Sequence, residues 1–300
     1  SGVLDSAFVM QGLGGNPITV GGNDELRARV LPQVVSGELV CAFALTEREA
    51  GSDVGAMQTR AREQADGTVV LDGEKCFISN APCADSFVVF AREAEPGEGG
   101  KPRFGAFWVP GGAAGLTVSP IQVIAPHPIG TVTLKGVLVP PEHRLGKPGD
   151  GLKLAFGNLD VFRVSVGAAA LGFADRALRE TVTHLNRRVQ FGKPLATQQG
   201  LRFAVADVAT DHLAAQLLVY RAAIARDAGN ATPADSAVAK LFATESAQRT
   251  IDRAVQSLGG LGVTVGQATE RLYREIRALR IYEGTSEIQK LVIARALFDG

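Results

Sequence analysis

Five short stretches of this 300-residue chain carry groups that could do chemistry. Residues 45–53, Leu-Thr-Glu-Arg-Glu-Ala-Gly-Ser-Asp, read as a turn after a strand, with backbone amides near Gly51 and Ser52 free to bind an acceptor. Residues 73–80 form a strand ending in a polar pair, Ser79-Asn80. Residues 187–194 mark a helix end stopped by Pro194. Residues 256–262 close a helix with Gly259 and Gly260, which permit close backbone approach. Residues 281–289 place Glu283 before Gly284, which turns the chain, and before Thr285 or Ser286, which can cap a final helix. On local grounds Glu283 is a turn acid favoured by the helix dipole, and Arg188 is a solvated charge. Phe77 is core or platform, and Asp160 with Arg163 is an ion pair or part of a site.

Several chemistries lack their signature. There is no GxxxxGK[ST] loop, and Gly12-Leu13-Gly14-Gly15 lacks the spacing of a dinucleotide fingerprint. No nucleophile elbow is present. His127, His143, His184 and His212 stand apart with no metal-ligand spacing.

The elements that must position these stretches follow from texture. Residues 1–22 are rich in Gly and small apolar residues broken by Pro17. Asn23 then caps an amphipathic segment over 24–35, with Leu26, Val30 and Leu31 at helical spacing. From about 39 to 145, short apolar runs (68–71, 86–90, 106–109) alternate with turn signals at Asp66-Gly67, Asp72-Gly73, 95–102 and Gly111-Gly112, predicting a β-barrel or β-sandwich. Beyond 151, long helices are expected over 161–189, 195–227 and 233–258, then shorter ones over 267–279 and 286–298. The first of these carries a small-residue stripe from Gly167 to Ala174. The fold expected is α+β and multidomain: a partial N-terminal helical segment (1–37), a middle β-barrel or sandwich domain (38–147) and a C-terminal antiparallel four-helix-type bundle (148–300).

Composition narrows the partners. Hydrophobic residues at 46% and charged residues at 21% give ordinary globular composition. Thirty-one Lys+Arg balance thirty-one Asp+Glu, so no basic field steers the chain to nucleic acid or an anionic membrane. Cys41, Cys76 and Cys83 suit buried packing rather than a disulfide framework. No apolar run reads as a membrane span, the start lacks a signal pattern, and the Asn230-Ala231-Thr232 sequon reads as incidental. A cytoplasmic or other soluble intracellular protein is expected.

Taken together and in this order, the five stretches resemble those of the acyl-CoA dehydrogenase family, along residues 1–300 and most strongly in 45–53, 73–80, 188–194 and 282–295. The resemblance implies non-covalently bound FAD, an acyl-CoA thioester substrate and oxidation of its α,β carbon–carbon bond to a trans-2-enoyl product. Glu283 matches the family's α-proton base. Where other members carry that acid on an earlier helix, this chain has Phe162, just before Arg163. The β-hydrogen would leave as hydride to flavin N5, with the thioester oxygen held by the Glu283 N–H and a flavin ribityl hydroxyl.

The same resemblance assigns flavin contacts to Phe43, Leu45, Thr46, Gly51 and Ser52, and to Phe77, Ile78 and Ser79; Phe77 stands where members often carry Trp. Arg188, Gln190, Phe191 and Gln199 match residues that reach a neighbouring subunit's FAD, Arg188 pairing with its pyrophosphate. Gln256, Gly259 and Gly260 match a stretch approaching a dinucleotide across a dimer interface, and Thr285 and Glu287 match further FAD contacts. Ser52, Asp160, Arg163, Gly284 and Arg295 match positions lining or supporting the CoA-thioester site. A homodimer or homotetramer is implied, with an electron-transfer flavoprotein as acceptor. Residues 1–37 resemble only the last part of the family's N-terminal helical domain, and Arg48-Glu49 add charges to the first loop. Two alternatives share the scaffold: a non-catalytic or FAD-holding subunit or fragment, and a flavin oxidase or monooxygenase.

Overall fold

The computed structural model describes residues 2–94 and 102–299. The turn signal expected over 95–102 therefore lies, except for Pro102, outside the described residues. The chain divides into two compact units, one of Ser6–Leu159 and one of Asp160–Gly300 with Ser1–Asp5.

The first unit opens with most of α1 (Gly2–Gly21), from Ser6 onward, and with α2 (Asp24–Ser36). The stretch read as broken by Pro17 is a continuous helix with Pro17 inside it. Its glycines serve close approach: a Cβ on Gly14 would lie 2.6 Å from the Cys41 Cβ. Asn23 caps α2 as expected, accepting from the Leu26 N–H at 2.8 Å, and Gly37 ends it in the left-handed region. Gln11 ties these helices to the strands, its amide donating to the Val34 and Leu39 carbonyls while its oxygen accepts from the Cys41 N–H.

Eight strands follow: β1 (Cys41–Ala44), β2 (Arg60–Glu63), β3 (Val69–Ser79), β4 (Ser86–Ala94), β5 (Arg103–Pro110), β6 (Leu116–Ile121), β7 (Ile129–Val139) and β8 (Arg144–Leu145). They form one sheet in the order β6-β7-β3-β2-β4-β5-β8, with β1 added parallel to β4. Leu71, Ile78, Phe87, Val89, Phe107, Val132 and Leu134 meet in a single buried cluster, so the sheet wraps its own core. Each such side chain contributes roughly 1.5–3 kcal/mol by leaving water. Asp72-Gly73 is not the turn its composition predicts. It lies inside β3 at a register shift, where a Cβ on Gly73 would collide with Thr59 at 2.5–2.8 Å, so glycine permits the close crossing. Cys41 and Cys76 are buried, whereas Cys83 is exposed, against the expectation of packing for all three.

The second unit is a helical bundle. It takes most of α3 (Gly151–Arg187), which begins ten residues before the predicted start. There follow a two-strand hairpin, β9 (Val189–Gln190) and β10 (Lys193–Pro194), then α4 (Gln199–Asp227), α5 (Pro233–Leu258), α6 (Ala268–Leu279) and α7 (Ser286–Phe298). Ala170 and Ala174 of α3, Ala215 and Val219 of α4, Ala243 and Ala247 of α5, and Leu272 and Ile276 of α6 share one core. Small residues let the helices approach closely, as where a Gly167 Cβ would sit 3.0 Å from Val219. By length and composition α3 could span a bilayer, yet Val166, Ala170, Phe173 and Ala177 bury it among its neighbours as a core helix. A capping box of Thr232 with Asp235, and Pro233 in the first turn, start α5.

Candidate active site

The first unit supplies a flat apolar platform beside open backbone. Between Lys75 and Ile78 of β3 the register to β7 slips, because one extra residue enters the strand. Phe77 lies in that bulge with φ +58 and is 58% exposed. A left-handed phenylalanine costs roughly 1–3 kcal/mol of backbone strain, so the surroundings must hold it there. The Cys76 N–H donates to the Thr46 carbonyl at 2.9 Å, joining the bulge to the loop after β1. That loop closes on itself through paired Glu47 and Ala50 backbone bonds, leaving Arg48, Glu49, Gly51 and Ser52 exposed. Nothing lies within 4 Å of where a Gly51 Cβ would stand. Phe43, Thr46 and Ser79 are half-buried, while the Leu45 and Ile78 side chains are buried, leaving those two their backbones to offer. An outward aromatic ring held on strained backbone beside an open loop fits an isoalloxazine and its polar edge.

The second unit supplies a carboxylate on a tightly held turn. Residues 280–285 link α6 to α7, with Glu283 at φ +54 and Gly284 at φ +91. Glu283 is only 9% exposed. Three side chains from three helices hold the Glu283–Gly284 backbone. Arg163 of α3 donates from Nε to the Glu283 carbonyl at 3.2 Å, and Gln289 of α7 donates from Nε2 to the same oxygen at 3.2 Å. Gln289 also reaches the Gly284 carbonyl at 2.8 Å, where Lys240 Nζ of α5 donates at 2.7 Å. A Cβ on Gly284 would sit 2.7 Å from Gln289 Nε2, so only glycine lets Gln289 close in. Asp160 pairs with Arg163 at 2.6 Å. Thr285 caps α7, and Glu245 binds both Ser286 and Arg280 beneath the turn.

Electrostatics follow from burial. Lys240 is fully buried, and loss of water brings its ammonium down to about 8 against the pull of Glu283, Glu245 and Glu287. Burial also raises the Asp160 carboxyl, opposed by Arg163 and Arg226. Burial works to raise Glu245 too, but Ser286 and Arg280 outweigh it and hold the carboxyl below its ordinary value.

The remaining predicted residues of this unit are exposed. Arg188 follows α3, and Gln190 and Phe191 belong to the hairpin, whose tip Phe191-Gly192 has φ of +53 and +74 and whose phenyl ring is 93% exposed. Gln199 begins α4, Gln256 lies in the last turn of α5, and Gly259 and Gly260 follow with open space at their Cβ positions. Glu287 and Arg295 lie on the exposed side of α7. Lys240, Gln289, Glu47 and Lys75 were not singled out from sequence. Helical spacing marks Lys240, which shares a stripe with Ser236, Ala243 and Ala247. Strand alternation marks Lys75, at the parity of Val69 and Leu71.

The first unit carries an exposed aromatic ring on left-handed backbone, and the second carries a buried acid on a held turn. The model for the acyl-CoA dehydrogenase middle domain matches residues 42–137, and that for the acyl-CoA dehydrogenase C-terminal domain matches 149–298. An acyl-CoA dehydrogenase of Bacillus subtilis is 39% identical over 291 residues, 96% of this chain and 76% of the relative. Subunit CarC of a caffeyl-CoA reductase–Etf complex from Acetobacterium woodii is 36% identical over 293 residues, 95% of this chain and 75% of the relative. Butyryl-CoA dehydrogenase of Megasphaera elsdenii superposes with a TM-score of 0.92 at 37% identity, over 97% of this chain and 76% of that one. The chain belongs to the acyl-CoA dehydrogenase family, oxidoreductases whose members use FAD.

Proposed function

We propose that this chain oxidises the α,β bond of an acyl-CoA thioester to the trans-2-enoyl thioester, with Glu283 as the α-proton base. The observation that carries this reading is the Glu283 turn, a buried carboxylate on left-handed backbone whose carbonyls are gripped by Arg163, Lys240 and Gln289. An α-proton on a thioester is weakly acidic, so its removal needs a carboxylate fixed beside it and shielded from water. The grip supplies the fixing. The main-chain N–H of Glu283 is a donor for the thioester oxygen, where negative charge grows as the proton leaves. Asp160, Arg163, Gly284, Ser52 and Arg295 support the substrate. Bound FAD supplies the acceptor for the β-hydrogen as hydride.

In this reading, residues 38–147 present Phe77, Thr46, Gly51 and Ser52 to the flavin, while 148–300 supply the base, and 1–37 pack as the end of a helical domain. Thr285 and Glu287 add contacts to the same FAD. Arg188, Gln190, Phe191, Gln199, Gln256, Gly259 and Gly260 serve the FAD of a neighbouring copy, so the working form is a homodimer or homotetramer. Their common exposure supports this, since residues that serve a neighbour must face outward. An electron-transfer flavoprotein is the acceptor, as the name of the Acetobacterium relative suggests. The test is anaerobic mixing of FAD-loaded protein with a panel of acyl-CoAs, watching the flavin's visible absorbance, and with enoyl-CoAs after chemical reduction. Bleaching by one acyl class, lost in Glu283→Gln with FAD still bound, supports the assignment. A flavin-loaded protein that no acyl-CoA bleaches refutes it.

A further inference from the structure

A buried ion pair apart from the Glu283 turn lies under the flavin-facing residues of the first unit; its role there rests on the reading that they face FAD. Lys75 Nζ is wholly buried and donates to Glu47 Oε1 at 2.7 Å and to the Leu45 carbonyl at 3.1 Å. Glu47 also accepts from the Thr59 N–H at 3.0 Å on Oε1 and from the Gln58 N–H at 2.6 Å on Oε2. One carboxylate thus joins the loop after β1, the approach to β2 and the middle of β3.

The pair brackets the places where the platform is made. Glu47 closes the loop that exposes Gly51 and Ser52, through its own backbone bonds to Ala50. Lys75 is the last β3 residue in register with β7 before the bulge, and its neighbour Cys76 is bonded to Thr46. Phe77 comes next, turned outward. Apolar side chains of similar volume would fill this interior without the desolvation cost of two ions, so the ion pair is poorly explained by stability. It fixes geometry: a charge-assisted bond has a definite length and direction where methyl packing would slide. We propose that Glu47 and Lys75 are positioning residues of the flavin site, holding the Thr46–Ser52 loop and the Phe77 bulge at one spacing.

Both groups are ionised at neutral pH. Burial opposes each charge, bringing Lys75 down to about 8. For Glu47, Lys75 together with the Gln58 and Thr59 donors outweighs burial and holds the carboxyl below its ordinary range.

The experiment titrates apoprotein with FAD, following fluorescence quenching and the visible band shape. Thermal unfolding of the apoprotein and hydrogen exchange of the 46–52 amides run alongside. The double variant E47Q/K75M removes both charges and keeps one acceptor oxygen, for either the Gln58 or the Thr59 N–H, so it is expected to melt somewhat below the wild type. Its FAD dissociation constant should rise about tenfold or more, the band should lose its wild-type shape, and the loop amides should exchange faster. Glu47→Asp keeps both charges but shortens the arm by one methylene, and should weaken FAD binding in the same direction even if the double variant does not fold. Wild-type affinity and spectrum in every variant that folds overturn the proposal, as does binding that merely follows melting temperature. The wild-type titration separates the two levels: if the wild type takes no FAD, the underlying reading fails and this proposal with it.

Discussion

Replacing Lys240 by Met separates the positioning of Glu283 from the stability of the bundle. The ammonium makes a 2.7 Å charge-assisted bond to the Gly284 carbonyl from a fully buried site. Losing such a bond costs about 1.5–3 kcal/mol. The gain on the other side has a similar size. Bringing the lysine from 10.5 to about 8 corresponds to about 3 kcal/mol against the charged form at neutral pH, which Met does not incur. Global stability should therefore change little, while the Glu283–Gly284 turn, left with Arg163 and Gln289, loses one of its three holders. If the full bond energy is needed to hold the base in the transition state, the flavin bleaching rate falls by about ten- to a hundredfold. The pH profile provides the sharper readout. Glu283, Arg163, Glu245 and Glu287 all act on Lys240. In the wild type, bleaching should decline as pH rises through about 8 and the lysine loses its proton; in the variant that limb should disappear. Stability moves the other way. A lysine depressed in the fold makes the wild type more stable as pH rises from about 8 to 10.5, because only the unfolded chain then holds the proton. A K240M protein that bleaches within twofold of wild type and keeps the alkaline limb would refute the reasoning.

Other outcomes depend on single contacts. Gly284→Ala adds a Cβ 2.7 Å from Gln289 Nε2 at φ +91; it should cost about 1–3 kcal/mol and lower Tm by several degrees in a calorimetric scan. Phe77→Gly relieves a left-handed side chain, so apoprotein stability should hold or rise slightly, while FAD affinity falls by up to about tenfold through loss of an aromatic contact. Glu47 and Glu245 are depressed in the fold, so the stability they contribute is complete above their unfolded values near 4.5 and is lost as pH falls through the folded ones. Urea midpoints measured from neutral pH downward should drop in that window, and Glu245→Gln should flatten the drop.

The helices were the most legible part because their signals are local and redundant. Pro233 and Leu258 bound α5 in both sequence and structure, and the cap at Asn23 was readable from one residue type before an amphipathic run. Two misreadings share a cause. Pro17 and Asp72-Gly73 are strong punctuation in isolation, but packing overrode both. Close-approach glycines hold α1 against β1, and Gly73 lets β3 pass Thr59. Glycine looks the same in a turn and in a crossing; only the neighbour that its missing Cβ would strike tells them apart.

The site divides along a similar line. Glu283, Phe77 and the Gly51-Ser52 loop could be pointed to through a resemblance carried by contiguous motifs. Their supports could not, because each is assembled from distant positions. Gln289 lies six residues from Glu283, but Arg163 and Lys240 are 120 and 43 residues away and meet only when α3 and α5 pack. Yet the two buried lysines each carried a visible anomaly. A lysine on the Ala243–Ala247 stripe of α5, or at the inward parity of β3, breaks a pattern whose logic is burial. A buried cation must have an oxygen to bind, and in both cases that oxygen belongs to a segment of the proposed site: the Gly284 carbonyl beside Glu283, and Glu47 with the Leu45 carbonyl beneath the Thr46–Ser52 loop. A charged residue out of phase in an otherwise apolar period is thus a pointer to a positioned site, even when its partner lies too far along the chain to be named.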